Sequence, residues 1–485
     1  MKPLLRGPEV DSFYHLNDTE MSHRRCRGTS CFAARLLDPV GWKEAVSQWP
    51  PVYCLGKCYA SPSSTETPGD PHIEALCDDP IVLDGVDGTL QRSLIDYRAA
   101  GGYSALEKAR SAESVWVVEQ IEKSQLRGRG GAGFPAGRKW RAVWAENGPK
   151  KYVVANADEG DHGSYIDRYI IERTPHRLIE ALAIAGAAVG ADYGYIYLRK
   201  EYPVAEKYLR AAIEEARFGG WIGEGTGFDL EVVIGQGSYV CGEETSLLNS
   251  IEHRRPEVRS RPPFPTSAGL YDKPTLVNNV ESLANVPWIV LNGGEAYAAR
   301  GFSKSRGTKA VSLNSLFNKP GLYEIEFGMT LRELFFDVGG GLKTGDFKAV
   351  IIGGPLAGLV HPSEFDTPFG FDEMHAIGAA IGHGGVVAFD QNTRMDQFLA
   401  HIFVFGATES CGKCTPCRLG SRRVQVLLAK VAEGVALDPN ESEELKDVLD
   451  AMKRTSLCGH GTGLAELANS AFKKFPEEMA KCFAQ

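Results

Sequence analysis

Cys411, Cys414 and Cys417 follow one another at two-residue intervals, and Cys458 stands forty residues further on. Such spacing lets three thiolates converge from one tight turn, with a remote fourth closing the site. Zinc also accepts four thiolates, but usually from two separate Cys-x2-Cys pairs, so three close ligands plus one remote suit the corners of a [4Fe–4S] cube better. Structural zinc and unligated thiols are the alternatives. Gly412, Gly459 and Gly461 would let main-chain N–H groups approach sulfur, and His460 reads as a neighbour of the site, not a ligand.

A second group has a different rhythm: Cys26-x4-Cys31, a gap of twenty-two residues, then Cys54-x3-Cys58. Two pairs can hold the two irons of a [2Fe–2S] rhomb, with zinc or a degenerate site as alternatives. Cys77, Cys241 and Cys482, the rest of the eleven cysteines, read as inert thiols. This uneven distribution points to metal ligation in a reducing compartment.

The run from Gly128 to Pro135 contains a literal G-x-G-x-x-G at Gly128, Gly130 and Gly133, with Gly131 between. Arg127, Arg129, Arg138 and Lys139 add positive charge, which suits close backbone approach to a phosphate or flat ring. The segment before it reads as helix, so the dinucleotide fingerprint, which needs a preceding strand, does not apply, and a flexible loop is the bland alternative. Asn156, Asp158, Glu159 and Asp161 follow an expected strand at Tyr152–Ala155, where parallel sheets present ligands. Tyr197 and Glu201 end a later strand, and Asn278 and Asn279 open a helix. Capping and loop solvation could explain each alone; beside eight cluster-type cysteines, a nucleotide site is the better reading.

The chain has 485 residues, 43% hydrophobic and 24% charged, enough for several domains. Its formal charge of −9 argues against a general nucleic-acid binder. The polar sequence after Met1 to Arg6, and the lack of a run of about 18 apolar residues, predict a cytoplasmic chain that does not insert into membranes. A loop at Ser61 to Pro71 and a helix over Ser104 to Gln125 lead into strands at Tyr152–Ala155, Tyr195–Leu198 and Leu230–Ile234. Helices at Arg177–Ala187 and Val204–Arg217 separate these strands and imply a largely parallel sheet. After a helix near Asn279–Leu291 come strands at Lys309–Leu313, Leu322–Phe327 and Lys348–Ile352, with a capping box at Thr330 to Glu333. Helical patterns dominate from Met395.

The segments Gly128 to Trp140, Asn156 to Arg168, Tyr195 to Tyr202, Gly237 to Thr245, Pro262 to Pro265, Asn278 to Glu281 and Glu409 to Arg418 resemble the NADH-binding flavoprotein subunit of respiratory complex I and its relatives, most of all the diaphorase subunit of soluble NAD-dependent formate dehydrogenases. The head resembles a shortened version of the thioredoxin-like [2Fe–2S] protein that partners, or is fused to, this family. The resemblance implies an α/β multidomain chain: a short thioredoxin-like head over 1–85, a Rossmann-like FMN/NADH domain over 105–300, a small ubiquitin-like, β-grasp-type α+β domain over 301–392, and a helical [4Fe–4S] domain over 393–485.

It further implies FMN held by Gly128, Arg129, Gly130, Gly131, Gly133, Lys139, Asn156, Asp158, Tyr197, Glu201, Asn278 and Asn279. NAD(H) would be flanked by Phe134 and Phe264 and contacted by Asp161 and Glu201. Three positions depart from the family: Asp161 where Glu is common, Lys200 where Gly is frequent, and Arg261 where Lys usually precedes Pro-Pro-Phe. The implied chemistry is hydride transfer between nicotinamide and FMN, then single electrons through the clusters. Implied partners are a thioredoxin-like [2Fe–2S] subunit and a catalytic molybdenum, tungsten or nickel–iron subunit, with hydrogenase and respiratory parents as alternatives. A reading of another class is a non-enzymatic electron carrier or zinc-stabilised scaffold.

Overall fold

A computed structural model describes residues 21–38, 44–86, 88 and 90–483. The first twenty residues of the expected head, including Met1 to Arg6, lie outside them. Within the head, β1 (Arg25–Cys26) pairs in parallel with β2 (Pro51–Val52), with α1 (Thr29–Leu37) between them in sequence. The next strand, β3 (His72–Ala75), leaves the head altogether and pairs with a strand near residue 321. Among the described residues the head therefore builds no thioredoxin-like sheet of its own; the short interval between its cysteine pairs leaves too little chain for one.

The expected helix over 104–125 is two helices, α2 (Ser104–Ser111) and α3 (Ser114–Lys123), and α4 (Ala136–Ala145) follows the glycine-rich loop. The four-stranded sheet comes next. Its first strand, β4 (Tyr152–Ala157), is followed by α5 (Ile166–Arg173) and α6 (Pro175–Val189). Pro175 starts α6 and Gly190, in the left-handed region at φ 78°, ends it. All but one of α6's residues are buried, as a helix covering a parallel sheet requires. After β5 (Tyr193–Arg199), α7 (Pro203–Phe218), β6 (Asp229–Gly235) and α8 (Glu244–Ile251), the chain returns with β7 (Thr275–Asn279) and α9 (Val280–Ala284).

The sheet order is β6-β5-β4-β7, every pair parallel. Successive strands thus run outward on one side of β4 before the chain crosses to its other side. The resulting crevice between the C-terminal ends of β4 and β7 is where such sheets bind ligands, and there Asn156 stands in register with Asn279.

A six-stranded mixed sheet follows, built from β8 (Thr308–Leu313), β9 (Gly321–Glu326), β10 (Phe347–Ile352), β11 (Leu359–Val360) and β12 (Gly385–Asp390), in the order β11-β10-β12-β8-β9-β3. The head thus supplies the edge strand of this sheet. The Thr330–Glu333 capping box is present, Glu333 accepting the Thr330 amide at 2.8 Å. Five helices close the described chain: α10 (Met395–Thr408), α11 (Thr415–Ala432), α12 (Pro439–Thr455), α13 (Gly459–Lys474) and the short α14 (Pro476–Ala480). No helix among the described residues is long and apolar enough to cross a membrane.

Candidate functional site

A cleft of about 330 Å³ lies over the β4–β7 crevice, its wall including Gly130, Gly131, Asn156, Asp158, Asp161 and Asn279. The glycine-rich loop reaches it because its residues are small. A Cβ on Gly130 would stand 2.7 Å from the Asn279 Cβ, and Gly131, at φ 143°, pairs with Gly382 across the cleft. The Arg129 amide donates to Ser282 Oγ at 2.8 Å, pinning the loop to the start of α9.

The Asp158 carboxylate is buried and its Oδ2 has no hydrogen-bond partner. Burial raises its pKa well above the usual range, with the charges of Glu201 and Glu409 adding to the effect. Asp161 is also raised by burial, and accepts a hydrogen bond from the Tyr239 hydroxyl at 2.6 Å. Opposite, His460 donates from Nε2 to the Gly406 carbonyl at 2.8 Å, leaving its buried Nδ1 without a partner.

His383 closes the floor. Its Nε2 lies 2.9 Å from Asp167 Oδ2 and its Nδ1 2.9 Å from Ser164 Oγ. The single Ser164 hydroxyl proton goes to Glu159, so Ser164 must accept from Nδ1 while Asp167 accepts from Nε2. Both ring nitrogens are then donors, which makes the ring an imidazolium. Burial would lower its pKa, but Asp167, then Glu159, raise it to about 10. Glu159 also accepts the amides of Ile166, Asp167 and Arg168 at the start of α5, so its oxygens are already occupied.

The eight clustered cysteines fall into two separate sites. Cys411, Cys414, Cys417 and Cys458 line one small cavity with Val240 and His460. Cys414 caps α11 and Cys458 caps α13, so two positive helix ends face the thiolates. The amides of His460 and Gly461 donate to the Cys458 sulfur. Val240, His460 and Cys458 line both this cavity and the larger cleft, so the two sites share a wall.

In the head, Cys26 contacts both Cys31 and Cys54, and the Cys54 and Cys58 sulfurs are 3.8 Å apart. Sulfur–sulfur hydrogen bonding, with burial, raises Cys26, Cys54 and Cys58. Thiols so crowded are eased by a metal that takes up their negative charge. In neither group do three sulfurs lie within 4.8 Å of one another. Thiolates at about 2.3 Å from one metal ion stand roughly 3.8 Å apart, so Cys54 and Cys58 have the spacing of two ligands on a single metal.

Beyond Ala132 and Cys458 the cleft widens into an open one of about 890 Å³, lined by Phe134, Lys139, Arg261 and Phe264. Two expected contacts fall elsewhere. Tyr197 is buried under the sheet, donating to Ser250 Oγ at 2.9 Å; alternation along β5 points it away from the crevice. Glu201 is 2% exposed and pairs with Arg199 at 3.1 Å, in a small pocket that adjoins the cleft and shares Asp158, Gly160 and Tyr239 with it. Gly128, Gly133 and Asn278 flank the cleft without lining it, Asn278 accepting from Trp140 Nε1 at 3.2 Å. Sequence reasoning missed Tyr239, Gly353, Gly382 and His383. The paired glycines at the ends of β10 and before β12 were the available signal.

Residues 121–288 match the Nuo51 FMN-binding domain, and residues 397–482 the NADH-ubiquinone oxidoreductase-F iron-sulfur binding region. One of the F subunits of NADH-quinone oxidoreductase from Rhizobium meliloti is 42% identical over 82% of this chain and 96% of its own. The NADP-reducing hydrogenase subunit HndC of Solidesulfovibrio fructosivorans is 41% identical over 80% of each chain. A crystal structure of NAD+-reducing [NiFe]-hydrogenase in the H2-reduced state superposes with a TM-score of 0.83 and 27% identity, covering 98% of this chain and 87% of that one. The chain belongs to the family of FMN-binding, iron–sulfur F subunits of NADH-quinone oxidoreductases and their hydrogenase counterparts.

Proposed function

We propose that this chain is the nicotinamide-oxidising subunit of a multi-subunit dehydrogenase. The observation that carries this reading is one continuous cleft running from the basic, aromatic-flanked opening, past the orphaned Asp158 carboxylate, to the wall of the four-cysteine cavity. FMN fits the inner part, because the glycine loop leaves room for it and Asp158 Oδ2 lacks a partner. Gly130, Gly131, Asn156, Asp158 and Asn279 would hold it. Held by these residues, FMN would supply two-electron hydride chemistry toward the nicotinamide and one-electron chemistry toward the clusters.

The protein's own part is positioning. Phe134 and Phe264 flank the dinucleotide, Tyr239 fixes Asp161, and Val240, His460 and Cys458 keep the cluster against the flavin wall. Cys411, Cys414, Cys417 and Cys458 would hold a [4Fe–4S] cluster, and Cys26, Cys31, Cys54 and Cys58 a [2Fe–2S] cluster. For the parent complex, the fused head and the Asp158-Glu159-Gly160-Asp161 motif favour a soluble complex over a respiratory one, with a NAD-dependent formate dehydrogenase as the first reading. A NAD-reducing hydrogenase is the second reading, favoured by the structural neighbour whose alignment spans nearly the whole chain.

A visible spectrum tests the core of this: flavin bands with broad cluster absorption support it, and a colourless zinc protein overturns it in favour of a scaffold. Metal analysis of co-purified subunits separates the parents, molybdenum or tungsten for one and nickel for the other.

A further inference from the structure

Resting on the nicotinamide-oxidising reading above, we propose that the outer cleft accepts a 2′-phosphorylated dinucleotide, NADPH, with Arg138 recognising the 2′-phosphate. Four cationic side chains line this cleft, Arg138, Lys139, Arg259 and Arg261, against two carboxylates, Glu243 and Glu244.

Three of the cations are already committed. Lys139 Nζ is held by Glu244 at 2.7 Å and by the Val277 carbonyl at 3.3 Å. Arg261 bridges Glu243 and Glu244. Arg259 donates to Asn249 Oδ1 and the Gly269 carbonyl and pairs with Glu252, tying the cleft wall together. Arg138 is exposed on the first turn of α4, and has no hydrogen-bond or ion-pair partner among the described residues.

The carboxylates are committed too. A dinucleotide site that selects the unphosphorylated form places a carboxylate on the ribose 2′-hydroxyl, where it also repels a phosphate; an arginine nearby accommodates the phosphate instead. Glu243 accepts the Thr245 and Ser246 amides with one oxygen and Arg261 with the other. Glu244 lies between Lys139 and Arg261. Glu201, expected from the sequence to contact the nucleotide, is buried with Arg199 in a pocket beside the inner cleft, none of whose lining residues belongs to the outer cleft. The outer cleft thus offers an uncommitted guanidinium, whose planar fork matches a phosphate, and no uncommitted carboxylate to oppose it. NADPH would give up hydride to FMN and leave as NADP+, the same two-electron step as with NADH.

The test is steady-state kinetics of the full chain, loaded with FMN and clusters, with an artificial acceptor and either nucleotide, beside calorimetric binding of 2′,5′-ADP and ADP. The wild-type kcat/KM for NADPH should lie within about a hundredfold of that for NADH, and 2′,5′-ADP should bind more tightly than ADP. Arg138→Gln should lower the NADPH-to-NADH ratio of kcat/KM by about tenfold or more, the size of one charged hydrogen bond, and remove the preference for 2′,5′-ADP. Arg138→Lys should recover part of both. A wild-type ratio below about one-hundredth, or a ratio and a binding preference unchanged in Arg138→Gln, overturns the proposal. Failure to oxidise either nucleotide would instead overturn the nicotinamide-oxidising reading beneath it.

Discussion

The backbone N–H of Gly163 donates to the sulfur of Cys58, and Gly163 follows by two residues Asp161 on the wall of the flavin cleft. One loop therefore serves the cleft with one residue and the head's cysteines with another. Arg168 and Arg199 reinforce this join by donating to the carbonyls of Gly56 and Cys54, while Cys54, Cys58 and Tyr59 pack into the same core as β4 and α6.

None of the FMN contacts expected from the sequence lies in residues 1–80, which predicts a detachable head whose removal would cost only a [2Fe–2S] signal. The contacts argue the opposite. Deleting residues 1–80 removes β3 from the six-stranded sheet and uncovers Arg168 and Arg199, so thermal stability and FMN occupancy should fall together. A truncated chain with an unchanged Tm and full FMN would show that the head is only appended.

Cys414→Ser should remove or convert the tail cluster while FMN stays bound, because the four thiolates line their own cavity and only Cys458 also reaches the cleft. Iron content and the reduced-state EPR signal read this out. Both unchanged would exclude Cys414 as a ligand.

The strands and helices around the cleft were legible in the sequence because period and punctuation agree there: β4, β5 and β6 carry Val, Ile and Tyr, and α6 opens on Pro175 and is followed by Gly190. Asn156 and Asp158 were legible for the same reason, since they stand at the end of an expected strand; Asn279 was read only as opening a helix, and β7, which carries it into register with Asn156, was not foreseen. What local pattern could not show is which way a side chain at a strand end turns. Tyr197 and Glu201 lie near the same end of β5 as the expected ligands sit on β4, yet packing against Ser250 and pairing with Arg199 draw them away. Nor could it show that β3, almost 250 residues distant in sequence, would pair with β9.

Lys309 and Glu281 form an ion pair fully removed from solvent, and Lys309 Nζ also donates to the His383 carbonyl at 2.9 Å. Lys309→Met would leave Glu281 as an uncompensated buried charge, which costs about 3–5 kcal/mol. Chemical denaturation should show a loss of that size. A loss below about 1 kcal/mol would count against a buried pair whose members depend on each other.

His383 gives a pH dependence whose sign follows from its raised pKa. The groups facing it are Asp167, Glu159, Asp161 and Lys309. The proton is held more tightly in the folded state, so this stabilisation is complete below the unfolded pKa of about 6.5 and is lost as pH rises toward about 10. The Tm difference between wild type and His383→Gln should therefore shrink between pH 7 and pH 10. A difference that stays constant across that window would place a neutral imidazole at the cleft floor.

Glu201 separates a nucleotide contact from a structural counterion. The sequence places it on the ribose, where Glu201→Gln would lower NADH kcat/KM by roughly ten- to a hundredfold. In the structure its carboxylate is 2% exposed beside an Arg199 side chain that is 4% exposed, and Arg199 in turn holds the Tyr53 and Cys54 carbonyls of the head. Removing the charge should leave a buried guanidinium without its partner, at a cost to stability of about 3–5 kcal/mol. NADH oxidation by the isolated chain, measured at full FMN occupancy with an artificial acceptor, should then change by less than about threefold. Formate and hydrogen should not be oxidised by either form, since nothing along the cleft is built to activate them. A Glu201→Gln chain with wild-type Tm and full FMN, but tenfold weaker NADH use, would return the carboxylate to the nucleotide.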